Sequence, residues 1–282
     1  MSDTVEFDLD AYLGRIGWEG GRVPDAATLR GVHLAHTRAI PYENLDALNR
    51  TAPSLAIGDL QDKLVHGRRG GYCYEHNTLL LHALEALGFG VTRLAARVLV
   101  GADGAPDSGR PRTHLTLLVE VPGEPRPYLA DVGYGSVGAL LEPVPLVAGV
   151  EAEGAGRRHR LVLVTHPGPL DLWVLETYEP GSVWGAGWRR QYSFTLDPAA
   201  RPDFEVANWY VATHPRSPFV QRRYVQRMRG DEHVLLLDRE LIVTSPDGTV
   251  GKREVAEEEV VGVLAEEFGI VVPQSHQKDQ AG

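Results

Sequence analysis

Hydrophobic positions along the chain change their spacing twice. Up to about residue 88 they recur at helical intervals, which predicts helices over 28–37, ended ahead of the breaker Pro41, over 57–66, and over 77–87, closed by Gly88. From about 90 to 195 the pattern becomes short runs rich in Val and Leu: VTRLAARVLV, THLTLLVEV, RPYLADVGY, RLVLVTH and LWVLETYE, parted by Gly, Pro and Asp. Such runs predict an antiparallel sheet or barrel. Beyond Pro198 the types mix: an aromatic helical or loop segment over 208–219, the strand runs HVLLLD and ELIVTS, a turn at PDGT, and an amphipathic helix within EVAEEEVVGVLAEEFGI. The last residues, SHQKDQAG, are expected to be disordered. The pattern therefore divides an α+β chain into three domains: helical over 1–88, a β-barrel over 89–197, and mixed α/β over 198–282.

Composition narrows the class. The 282 residues are 43% apolar and 23% charged, the balance of a folded globular protein. Thirty-eight acidic side chains outnumber twenty-eight basic ones, and the net charge of -10 argues against broad attraction to nucleic acid or an anionic membrane. The start MSDTVEFDLD lacks the basic and apolar regions of a signal peptide, and no apolar run reaches the roughly twenty residues of a membrane span, so a cytoplasmic protein is expected. Cys73 is the only cysteine, which excludes an intrachain disulfide.

Cys73 stands in RRGGYCYEHNTLLLHALEALGFG, where two glycines precede a helical pattern. Its sulfur is thereby expected near the helix's first turn, where unpaired amides and the dipole favour an anion and hence a nucleophilic thiolate. A thiol nucleophile needs a base, and the base an orienting group. His114 opens the run THLTLLVEV, the turn PGEP occupies 122–125, and PYLADVGYG returns to Asp131. Reflecting 114 about a turn centre near 123.5 gives 133, so a hairpin leaves His114 and Asp131 within about two residues of direct opposition. Cys73, His114 and Asp131 are the candidate catalytic residues.

Two other chemistries fit poorly. GYGSVG at 133–138 matches the glycine pattern of a dinucleotide loop, but the following ALLEPVPLVAG has two prolines and no helical period. Backbone amides of this loop are still suited to an anionic ligand or an oxyanion. No metal site is expected: there is no HExxH, no second cysteine, and His33 with His36 reads as a pair on a solvated helix face.

With these residues in place the sequence resembles the arylamine N-acetyltransferases, bacterial members in particular. The resemblance rests on RGGYCYEHN at 69–77, IPYENLD at 40–46, THL at 113–115, DVGYG at 131–135 and NWYVATHPRSPF at 208–219. It implies a cysteine-protease-like core in three parts: a helical domain with the cysteine, a β-barrel with His and Asp, and an α/β lid to which Trp209, Tyr210 and Phe219 belong. It further implies that Cys73 carries an acyl thioester, that His114 is the base and Asp131 its partner, and that Arg69, Arg15 and Glu43 hold the site through ionic contacts. Tyr134, with Gly133 and Gly135, falls where the family binds substrate and CoA, Tyr134 often being Phe elsewhere. The implied reaction is ping-pong acetylation of an aromatic amine or hydrazine by acetyl-CoA, without a permanently bound cofactor. Arg110, Arg112 and the arginines of 157–160 are candidates for the CoA phosphates. An amide synthase that closes an acyl chain onto an aromatic amine, a cysteine hydrolase and a non-catalytic binding module are the alternatives.

Overall fold

The computed structural model describes residues 6–99, 109–180 and 186–271; the tail SHQKDQAG lies outside the described residues. Helix α1 (Leu9–Ile16) is opened by Asp8, whose carboxylate accepts from the Ala11 amide, and closed by Gly17 at φ 68°. Asp25 caps α2 (Ala26–Ala39) in the same way through the Thr28 amide. After the two-residue strand β1 (Tyr42–Glu43) come α3 (Leu45–Leu48) and α4 (Ile57–Leu60), which runs on as a π-helical turn over Gln61–His66 where a single helix was expected. Helix α5 (Cys73–Ala86) starts at Cys73, with Glu75 reaching back to accept from the Tyr72 amide at 3.1 Å. Every residue of α5 from Cys73 to Leu81 is buried. The first turn escaped the periodicity because its buried positions are polar: Glu75, His76 and Asn77.

The barrel part contains β2 (Gly90–Val98), β3 (His114–Glu120), β4 (Tyr128–Ala130), β5 (Val144–Pro145), β6 (Glu151–Gly154), β7 (Arg157–Val164), β8 (Leu172–Glu179) and β9 (Gly187–Pro198). They form one antiparallel sheet in the order β5-β4-β3-β2-β9-β8-β7-β6, filled by Leu94, Leu129, Leu140, Leu161, Leu175, Tyr192 and Phe194. In the β3–β4 hairpin Leu117 faces Ala130 and Val119 faces Tyr128, so the turn centre lies at 123.5 as the residue count predicts. β4 nevertheless stops at Ala130, short of the expected run to Tyr134. The next three amides leave the ladder for side chains: Asp131 N–H donates to His33 Nε2, Val132 N–H to Asn77 Oδ1, and Gly133 N–H to Asp131 Oδ1.

The chain ends with α6 (Arg201–Thr213), β10 (Tyr224–Arg229), β11 (Glu232–Leu237), β12 (Glu240–Thr244), β13 (Val250–Glu254) and α7 (Val260–Phe268). The second sheet, β1-β10-β11-β12-β13, takes its edge strand from the N-terminal part. Phe204, Val211 and Ala212 of α6 join the core formed by α1, α2, α5 and the inner faces of β3 and β4. α6 thus packs on the helical core, and its Trp209 is 62% exposed. Phe219 packs among Tyr42, Tyr72 and Tyr224. No helix among the described residues is long and apolar enough to cross a membrane.

Candidate active site

Cys73 occupies the first position of α5, in the first turn where a helix favours negative charge. His114 begins β3, and Asp131 follows β4 directly. The fold brings the three together: His114 Nε2 meets Asp131 Oδ2 at 2.6 Å, and the Cys73 sulfur lies against the carbonyl of Thr113, the residue before His114. With Nε2 engaged by the carboxylate, Nδ1 is the nitrogen left to the sulfur. Burial on its own would lower the His114 pKa; the charge and hydrogen bond of Asp131, with the bond to Cys73, outweigh it and raise the pKa to about 10. Burial likewise opposes ionisation of Asp131, yet His114, the Asn77 amide and the Gly133 N–H hold its carboxyl below the ordinary range. The sulfur, in a residue only 4% exposed, lies 3.8 Å from the Thr113 carbonyl.

Around this group the loop 131–135 comes into direct contact with α5. A Cβ on Gly133 would lie 2.7 Å from Cys73 Cα and 2.8 Å from Asn77 Nδ2, and one on Gly135 would lie 2.6 Å from the Tyr42 ring, so glycine alone fits both places. The Gly133 amide, an expected oxyanion donor, is instead committed to Asp131 Oδ1. Tyr134 lines a cavity with Tyr42, His76 and Gly135, and its ring stands edge-on to His114 at 5.2 Å. Its hydroxyl points away and donates to the Gln191 carbonyl at 3.0 Å.

Beneath the start of α5 lies a buried ionic network. Arg69 pairs with Glu43 at 2.6 Å and Asp46 at 3.0 Å, while Lys63 pairs with Asp46 and with Glu75, each at 2.6 Å. Two cations face three carboxylates, and the surplus negative charge falls on the deeply buried Glu75, whose pKa is pushed up to about 7 by burial. Burial opposes the charge of Lys63 too, but its three carboxylate neighbours hold the ammonium well above the usual lysine range. Glu75 also caps Tyr72, so the network is anchored one residue from the sulfur.

A family model described as N-acetyltransferase matches residues 25–277. The chain is 41% identical to the arylamine N-acetyltransferase of Mycolicibacterium smegmatis over 94% of its own length and 93% of that protein. The chain belongs to the arylamine N-acetyltransferase family. The crystal structure of the Nocardia farcinica arylamine N-acetyltransferase superposes with a TM-score of 0.88 at 42% identity, covering 98% of this chain and 94% of that one. The Mycobacterium marinum arylamine N-acetyltransferase solved in complex with CoA gives a TM-score of 0.84 at 35% identity, over 98% and 95%. As a member of the arylamine N-acetyltransferases this protein is an acyltransferase enzyme with an α+β fold.

Several positions of this family member differ from expectation. Arg15 makes no ion pair among the described residues; its guanidinium donates to the Leu64 and Ala39 carbonyls, tying α1 to the π-helical turn and the end of α2. His33 and His36 are fully buried rather than solvated. His36 Nε2 contacts His76 Nδ1 at 2.9 Å and its Nδ1 contacts the Tyr12 hydroxyl at 2.9 Å. Arg158 and Arg160, candidates for CoA phosphates, are paired with Glu151 and Glu176. Sequence reasoning missed Asn77, which sits four residues after Cys73 and so on the same face of α5. It also missed Lys63 and Asp46 and assigned no role to Glu75, because their partners are set by tertiary folding.

Proposed function

We propose that this acyltransferase carries an acetyl group from acetyl-CoA to an aromatic amine or hydrazine through a thioester on Cys73, in a ping-pong cycle run by Cys73, His114 and Asp131. The observation that carries the reading is the 2.6 Å contact of His114 Nε2 with Asp131, with the Cys73 sulfur 3.8 Å from the carbonyl of the residue before that histidine. In the resting site the proton resides on His114, stabilised by Asp131, and the sulfur is a thiolate. The thiolate attacks the acetyl carbonyl, the bond from carbonyl to CoA sulfur breaks, and CoA departs with the proton from His114. The amine then attacks the enzyme thioester, His114 removes the amine proton, and the bond to Cys73 breaks to restore thiolate and imidazolium. Exchange between two thioesters is nearly isoenergetic, which suits sulfur as the carrier. Acetyl-CoA and the amine are then co-substrates, and the M. marinum relative in complex with CoA supports this donor.

Mass spectrometry of the intact protein after mixing with acetyl-CoA, without acceptor, is expected to find one added acetyl group on the peptide holding Cys73 and none in Cys73→Ser. Addition of an arylamine should discharge it. Folded protein that stays unmodified, or that releases free acetate as fast without amine as with it, contradicts the reading.

A further inference from the structure

His33 joins α2 to the loop that carries Asp131. Its ring is fully buried, with Nε2 3.0 Å from the Asp131 backbone nitrogen and Nδ1 2.9 Å from the Leu141 carbonyl oxygen. An amide N–H only donates and a carbonyl only accepts, so one tautomer satisfies both: Nε2 bare and Nδ1 protonated. Burial lowers the pKa to about 4, against the pull of the Leu141 carbonyl and the Asp131 charge, so the ring is neutral over the working range. The bond to Asp131 forms where β4 has ended, so no ladder partner holds this amide. The neighbouring amide of Val132 is held by Asn77, and that of Gly133 by the Asp131 carboxylate itself. His33 is therefore what anchors the main chain at the residue whose carboxylate must meet His114.

We propose that His33 is a positioning residue for acyl transfer: by accepting from the Asp131 amide it sets the backbone from which the carboxylate reaches His114. This rests on the triad reading above. Misplacing a reacting group by roughly 1 Å costs on the order of a hundredfold in rate.

Two substitutions separate the two bonds. Gln carries an acceptor out to the place of Nε2, whereas Asn carries a donor only as far as the place of Nδ1. His33→Asn is expected to lower kcat for arylamine acetylation by about 10- to 100-fold with little change in the KM for the amine. The pH profile of Cys73 alkylation by iodoacetamide should shift in the folded Asn variant toward that of His114→Ala. His33→Gln should remain near wild type in both. A purely structural role would lower Tm and leave the alkylation profile of folded protein unmoved, so a wild-type profile in His33→Asn overturns the proposal. A Gln variant as impaired as the Asn variant overturns it too. Should the Asn variant not fold, the Gln variant still decides, alongside a measurement on wild type. A through-bond nitrogen–nitrogen coupling between the Asp131 amide and His33 Nε2 is expected in isotope-labelled protein, and its absence overturns the proposal. If His114→Ala keeps the wild-type profile, the triad reading falls and this proposal with it; a profile changed in His114→Ala but not in His33→Asn removes this proposal alone.

Discussion

Asn77 donates from Nδ2 to Asp131 Oδ1 at 2.9 Å, so the helix that presents Cys73 also holds the carboxylate behind His114. The same amide group donates to the Leu115 carbonyl at 2.6 Å, and its Oδ1 accepts from the Val132 amide at 3.0 Å. All these groups are buried, so truncation leaves several polar atoms without partners. Asn77→Ala is expected to destabilise the protein by about 2–4 kcal/mol, since each stranded buried group costs roughly 1–3 kcal/mol and relaxation recovers part. Urea unfolding at neutral pH measures this. A loss below about 0.5 kcal/mol would mean that these bonds do not hold the loop.

The His114–Asp131 pair gives stability a definite pH dependence. The folded pKa of His114 is about 10 against an ordinary 6.5, so between those values the folded protein holds a proton that the unfolded chain has released. The stabilisation is complete below 6.5 and is lost as pH climbs through about 10. In a Cys73→Ala background, where no thiol proton offsets that of the imidazole, the unfolding free energy minus that of the same protein with His114→Gln, taken from pH 6.5 upward, should fall by roughly 1.4 kcal/mol per pH unit. A difference that is flat with pH would show that the imidazole is not held protonated by its neighbours.

Lys63 is the cation shared by Asp46 and Glu75; its removal leaves Asp46 to Arg69 alone and strands the buried carboxylate of Glu75. Lys63→Met is expected to cost about 3–5 kcal/mol, as for other buried pairs broken on one side. Glu75→Gln in the same background should recover part of it, because the amide removes the unpaired charge while preserving an acceptor for the Tyr72 N–H. The four proteins of this cycle, compared by urea midpoint, should give a favourable coupling energy for Lys63 and Glu75. Additive effects of the two substitutions would contradict the network.

How far these features were legible depends on whether their partners are near in sequence. The β3–β4 register followed from counting about PGEP, because a hairpin's partners are set by its own turn. The glycines before Cys73 marked a helix start for an equally local reason. His33 and His36 were misread although a signal was present: with Leu29 and Val32 they make the spacing 29, 32, 33, 36 of one helix face, so imidazoles occupy an apolar stripe. Their partners lie on α1, α5 and the loops at 131 and 141, which no local pattern specifies. β9 was not singled out because GWRRQYSFTLDP is polar over much of its length, with Tyr192 and Phe194 facing the barrel interior. β13, exposed throughout, carries no alternation at all, and its last residue, Glu254, was absorbed into the terminal helix.

Five other histidines make the fold sensitive to acid. His33, His36, His76, His159 and His233 are all buried, and burial is the leading cause that lowers each of their pKa values, to about 4 for His33, His76 and His159 and about 3 for His233. Hydrogen-bond polarity gives the same result for the chain from α1: the Pro41 carbonyl takes the His76 Nε2–H, which leaves His76 Nδ1 to accept from His36 and His36 Nδ1 to accept from the Tyr12 hydroxyl. A proton on His76 Nδ1 would set two N–H groups against each other, and one on His36 Nδ1 would take away the acceptor of the Tyr12 hydroxyl. Between 6.5 and about 4 the unfolded chain therefore binds protons that the folded protein refuses, and stability falls as pH is lowered. Glu75 works in the opposite sense, since its pKa of about 7 gives the folded state one proton back. Each histidine contributes up to about 1.4 kcal/mol per pH unit, so together they consume most of a typical stability of roughly 5–15 kcal/mol within one or two units. Cooperative acid unfolding is expected near pH 5, roughly, with about four protons taken up per molecule. Circular dichroism across a pH series locates the midpoint, and calorimetry in buffers of different ionisation enthalpy counts the protons. A protein still folded at about pH 4, or one that unfolds with an uptake near zero, would show that these imidazoles are not held neutral.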